Sequence, residues 1–199
     1  MNAPFSTPNG NLNAQEKWQG FHWTFFIDVQ GLILSLLCFE RALESQNLER
    51  ADTELRCAAE LLRASGAAMR LAGDFSPKEY EEQVRVSMMP PNLDLDNFSG
   101  LMSWEHSRLI RLWQKLSPSL GDLPQELTAA HSYFVTAFVE MIAAHRSVCQ
   151  QLVGEEPSLR SCDPAVGVLE KLLVNRLRLI DPNENRRSGC PFSKEGSDQ

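Results

Sequence analysis

The sequence predicts an all-α protein, a bundle of five or six helices, and three observations carry that reading. Apolar residues recur at three- and four-residue intervals in every long ordered stretch, which is the period of an amphipathic helix. No stretch shows the apolar–polar alternation of a half-buried strand. Clusters of proline, glycine and polar turn formers separate the periodic stretches. With 199 residues, 43% of them hydrophobic, the chain can build one substantial core and is too short to argue for two.

Residues 1–15 are rich in Asn, Pro, Gly and Ser and are expected to form a flexible arm. The helical domain is placed at 16–180. Its first helix runs from about Gln15 to Ser45, with Trp18, Phe21, His22, Phe25, Phe26, Val29, Leu32, Ile33 and Leu36 giving an apolar surface wide enough for a central position. Asp28 and Gln30 interrupt that surface, and a polar group held there needs a partner. The second helix covers Leu48 to about Leu71. Ser76, Pro77 and Glu79 form a capping-box start for a short helix to about Val86.

The stretch from Ser87 to Gly100, SMMPPNLDLDNFSG, holds two adjacent prolines and is expected to be extended before it turns. A helix resumes over Leu101–Leu116, with Leu101, Trp104, Leu109, Leu112, Trp113 and Leu116 facing inward and SPSLGD ending it. Leu123–Gly154 is the longest uninterrupted helical pattern, with Pro124 suiting its first turn and Gly154 its end. Asp163 and Pro164 open a last helix to about Ile180, and the charged, turn-rich residues 181–199 read as a disordered tail.

Composition excludes several classes. A net charge of −7 without a basic patch argues against nucleic acid. Paired arginines, Arg176 with Arg178 and Arg186 with Arg187, read as solvated surface. The N-terminal residues carry no signal-peptide pattern, so a cytoplasmic protein is expected. The most apolar run, GLILSLLCF, falls far short of the ~20 residues of a membrane helix, which points to no membrane partner. Five scattered cysteines with no CxxC pair support neither a disulfide framework nor a zinc finger, and the CxxCH of ordinary c-type haem attachment is missing.

His145 and Cys149 stand four residues apart on the longest helix, so imidazole and thiol project to the same, apolar side. That pair could bind a transition metal or grip a haem. Spacing alone favours the plainer reading of a buried histidine beside a cysteine that packs as a small hydrophobe. His106, in SWEHSR just after the long loop, is open to three roles: axial ligand, general base or surface residue.

These residues lie in segments that resemble a known family. MMPPNLDLDNFSGLMSWEHSRL is similar to the Met-Pro then Ser-Gly segment of the tryptophan dioxygenase-like, haem-dependent aromatic oxygenase superfamily. FVEMIAAHRSVCQQLVG resembles its proximal-histidine helix, and FFIDVQGLILSLLCFERAL its early distal helix. Order and spacing agree from residue 17 to about 160. The H-x-x-x-C spacing is closest to the 3-methyltyrosine hydroxylase branch, which implies a tryptophan dioxygenase-like helical fold and a haem. It further implies His145 as proximal ligand, Cys149 as a single thioether tether and His106 as distal ligand or acid–base group.

Departures from the dioxygenase pattern shift the expected reaction. Gln30-Gly31 replaces the distal His-Gln dipeptide, and GEEPSLRSCD replaces the loop after the proximal helix. Ring cleavage thus gives way to hydroxylation of tyrosine or a tyrosine-like aromatic, with peroxide or dioxygen, in specialised metabolism. Trp104, Met102, Trp23, Phe26 and Gln30 are the candidate substrate-pocket residues, and the apolar first helix would suit a homo-oligomer. A non-catalytic bis-histidine haem protein and a haem-free helical interaction module are the two alternatives.

Overall fold

A computed structural model describes residues 12–92, 103–153 and 165–183, and all its regular elements there are helical. Helix α1 spans Ala14–Glu44, with the Asn13 side chain accepting from the Glu16 backbone N–H while Glu16 returns the bond. A tight turn through Asn47, which caps α2 (Leu48–Ala72), folds the two helices into a hairpin. The expected capping box is present at the start of α3 (Pro77–Glu79), where the Ser76 N–H donates to Glu79 Oε2 at 2.8 Å. The chain then widens into a π-helical turn over Tyr80–Arg85. Helix α4 spans Trp104–Gly121, a 3-10 turn follows at Gln125–Leu127, and α5 (Thr128–Leu152) and α6 (Ala165–Ile180) complete the bundle.

Helix α1 packs along α2, α2 along α5, and α6 against α5 and α4. Phe39, Leu36, Leu55, Leu62, Leu116, Phe134 and Phe138 form the shared core, all at most 2% exposed. A second, smaller cluster of Ala14, Phe75, Tyr80, Val84 and Met88 joins the start of α1 to the π turn. At the core centre, Trp113 on α4 meets Phe138 on α5 edge to face at 5.4 Å. Trp113 is only 2% exposed, so Trp113→Ala should cost about 3–5 kcal/mol by lost transfer energy plus the cavity left. Chemical denaturation checks this, and a loss under about 1 kcal/mol would mean that the ring is not a core residue.

Three expectations need correction. SPSLG does not end α4: the helix runs through Pro118 to Gly121. A proline in a last turn sacrifices one backbone bond, and burial of Leu120, 2% exposed, offsets that loss. Pro124 precedes a 3-10 turn instead of starting α5. Trp104 does not face inward; it is 62% exposed, with the Arg108 guanidinium over its ring at 5.3 Å.

By length and composition α1 (31 residues) and the Gln125–Leu152 span (28 residues) could each cross a membrane, which GLILSLLCF taken alone does not suggest. A helix apolar on most sides also suits the centre of a bundle. Most of the expected arm and tail, most of the 87–100 connection and the cap at Asp163 and Pro164 lie outside the described residues.

Candidate functional site

A cavity of about 310 Å³ lies between the main core and the smaller cluster. Five helices and the π turn wall it, and most of the wall is apolar: Phe25 and Val29 from α1, Leu109 and Trp113 from α4, Phe138 and Ile142 from α5. Gly73, after α2, lets the wall close, because a Cβ there would overlap the Val148 side chain on α5. Into this apolar space project His106, His145 and Cys149, the three residues singled out by spacing and resemblance, and also His22.

His145 and Cys149 reach the cavity because α5 stacks residues four apart on one face. His106 arrives from the first turn of α4, which Ser103 caps by accepting from the His106 backbone N–H at 3.2 Å. His22 comes from α1, its ring stacked on Trp18 with centroids 4.3 Å apart.

Burial sets the protonation of these groups. It pulls the His145 imidazole down to about 4. His22 is also lowered to about 4, first by burial and then by repulsion between its charge and that of His145. The Cys149 thiol is pushed up to about 11 by burial. At neutral pH His22 and His145 therefore stand as neutral imidazoles, the form that binds metals, and Cys149 as a protonated thiol.

A stability prediction follows for the haem-free chain. An unfolded histidine titrates near 6.5, and His22 and His145 in the folded chain near 4, so below about pH 6.5 the unfolded state takes up protons first. Stability is full above that pH and falls toward pH 4, by on the order of a few kcal/mol for the two groups together. Denaturation at pH 7, 5.5 and 4.5 should show the decline, with a shallower slope in His22→Phe. Equal slopes in parent and variant would contradict it.

Two further residues join the site that the sequence had placed elsewhere. His22 reads in sequence as part of an aromatic stripe, yet it lines the cavity, with a hydrogen bond to the Trp18 backbone one turn earlier in α1. Arg176, expected on the solvated surface, lines the cavity from α6 with its Nε buried and without a hydrogen-bond partner among the described residues, and burial lowers its pKa. Four of the five candidate substrate residues do not reach this cavity. Gln30 is exposed, with its Nε2 donating to Glu105 Oε1 at 3.3 Å, and Trp104 points to solvent. Trp23 and Phe26 line a neighbouring cleft. Met102 lies outside the described residues. Asp28, the other polar residue that interrupts the apolar surface of α1, is half-buried with Oδ2 unpartnered among the described residues, and burial raises its pKa.

Haem fits this donor set. Among the described residues no group of three or more His, Cys, Asp and Glu side chains could hold a bare metal ion. A porphyrin brings its own four nitrogen donors and asks the protein for axial imidazoles, an apolar slot and countercharge for its carboxylates. Neutral His145, the apolar wall and the unpaired Arg176 Nε supply those needs.

Comparison with known proteins agrees with part of the sequence-based resemblance. The family model described as SfmD 3-methyl-L-tyrosine peroxygenase matches residues 1–130, a span that contains His22 and His106 and stops short of His145 and Cys149. A 3-methyl-L-tyrosine peroxygenase of Streptomyces lavendulae is 28% identical over 196 residues, which cover 92% of this chain and 52% of that protein. The chain thus spans about half the length of this curated relative. No solved structure matches.

Proposed function

Because the chain belongs to the SfmD 3-methyl-L-tyrosine peroxygenase family, we propose that it is a haem-dependent aromatic peroxygenase acting on tyrosine or a tyrosine derivative in specialised metabolism. The observation that carries the haem half of this reading is the convergence of His106, His145 and Cys149 in one apolar cavity. The family match supports the peroxygenase half.

Each role follows from its residue's surroundings. His145, kept neutral by burial, offers a lone pair as proximal ligand. Cys149, kept as a thiol, would be the residue to tether the group, by addition of its S–H across a vinyl double bond, sulfur to one carbon and hydrogen to the other, with no oxidant consumed. His106 would be the second imidazole to hold the group, and it would hold or return the proton that peroxide must move during cleavage. The Arg176 guanidinium neutralises a carboxylate of the group. Phe25, Trp113 and Phe138 keep water from the reacting atoms. When bound, haem supplies peroxide O–O cleavage and delivery of one oxygen to the aromatic ring.

The test is turnover of L-tyrosine and 3-methyl-L-tyrosine with hydrogen peroxide by haem-loaded protein. A ring-hydroxylated product is expected, and His106→Ala should lower its rate about 100-fold or more while changing the visible spectrum. A haem-loaded chain that makes no hydroxylated product, or a His106→Ala variant with parental rate and spectrum, defeats the assignment.

A further inference from the structure

Helix α1 turns Leu32, Leu36 and Phe39 into the core and leaves an apolar stripe on its opposite side. Trp23, Ile27 and Leu34 are 70%, 65% and 63% exposed there, whereas α2, α4, α5 and α6 each expose one large apolar side chain among the described residues. The stripe is longer than these three. From Glu16 to Arg41 it advances in alternating steps of four and three residues, through Gly20, Trp23, Ile27, Gln30, Leu34 and Leu37. That is the spacing of a coiled-coil seam, which a helix presents to a second helix. We propose that α1 is the interface of a two-fold homodimer, its outer stripe packed antiparallel against the same stripe of a second copy.

The order of residues along the stripe fits its own reverse, as a two-fold contact requires. With the axis between Asp28 and Val29, Ile27 of one copy faces Gln30 of the other, and Trp23 faces Leu34. The indole and the isobutyl group thereby cover one another on both sides of the axis. Farther out Leu37 comes over Gly20, where the space that a Cβ would occupy is open and the helices can approach closely. The outermost layer sets Glu16 against Arg41, both exposed, and Arg41 has no ion pair among the described residues. A parallel pairing would set Glu16 on Glu16 and Arg41 on Arg41. Exposed charges of this kind choose orientation and register more than they add affinity.

A lipid surface is the competing occupant, since α1 is long and apolar enough to cross a membrane by length and composition. The stripe suits it less well. Gln30 stands at the middle, its Nε2 donating to Glu105 Oε1 at 3.3 Å, and a helix lying on a membrane carries a basic border, whereas this chain has a net charge of −7. A protein seam accepts one polar residue, which fixes the register. The pairing involves neither haem nor substrate, so it stands or falls apart from the peroxygenase reading.

Analytical ultracentrifugation of the full chain tests the interface. The parent is expected to sediment at twice the chain mass. Ile27→Glu or Leu34→Glu should weaken association about 100-fold or more, because each copy would bury an unpaired carboxylate in the seam. Both positions face water in the single chain, so circular dichroism and denaturation of these variants should match the parent. Cysteines read the orientation. In a Cys38→Ser background, the double variant Trp23→Cys, Leu34→Cys should form an interchain disulfide with copper phenanthroline, and neither single variant should. The two positions lie about 16 Å apart along one helix, too far for a bridge within a chain. A parent that sediments as a monomer, including one that instead binds phosphatidylcholine–phosphatidylglycerol vesicles, would overturn the proposal. So would a dimer untouched by both carboxylate substitutions, or cross-linking of Trp23→Cys alone as complete as that of the double variant, which marks a parallel seam.

Discussion

His145→Ala is expected to remove the low-spin iron spectrum of the haem-loaded protein and to lower peroxide-driven hydroxylation by more than about 100-fold. Loss of an outer-shell partner of a metal ligand already costs about 10–100-fold, and under the proposed role this change would remove the ligand itself. The expected spectrum follows from the proposed ligation, in which two imidazoles would give iron a strong field. His22 is an internal control, because burial lowers it to about 4 just as it does His145. If the effect came merely from emptying a buried imidazole site, His22→Ala would reproduce it. The account expects His22→Ala to keep the low-spin spectrum, and added free imidazole to restore part of it in His145→Ala. A parental spectrum in His145→Ala would return the residue to the ordinary core.

Much of the fold was legible because local chemistry decides it. The three- and four-residue apolar period places α1 and α2 within a residue or two, and the Ser76–Glu79 capping box places the start of α3, although the expected helix to Val86 gives way after Glu79 to the π turn. Pro118 was misread because the rule that proline stops a helix applies to helix interiors, and here the tertiary burial of Leu120 carries the last turn. Trp104 was misread because a residue in the first turn of α4 can lie clear of the neighbouring helices, whatever its place in the apolar pattern.

The site divides in the same way. His145 and Cys149 share a helix face by spacing alone, whereas the approach of His106 needed the resemblance before the structure supplied it. His22 was hidden in an aromatic run, and only the packing of α1 near α5 brings its charge against that of His145. Arg176 looked solvated because one arginine pair on a helix usually is; its position on the face of α6 toward α4 and α5 is a tertiary fact. Trp23 and Phe26, offered as substrate-pocket candidates, line the neighbouring cleft and not the cavity, and periodicity cannot distinguish two spaces that share a wall.

The covalent tether is the most demanding part of the account, because it requires Cys149 to act as a thiol within reach of a vinyl group while His145 makes a separate bond. Burial raises the thiol to about 11, so Cys149 stands as a neutral thiol at ordinary pH in the haem-free chain. The effect of Cys149→Ala should be all-or-none in one assay and slight in another. It should release the group on denaturation, yet keep the axial bonds and most of the folded-state spectrum. The most direct measurement is acid–acetone extraction followed by intact-mass determination of haem-loaded protein. The parent chain is predicted to retain its haem and to carry the mass of one added haem, whereas Cys149→Ala loses it to the solvent. Complete extraction of haem from the parent would contradict the tether and leave Cys149 as a small buried hydrophobe.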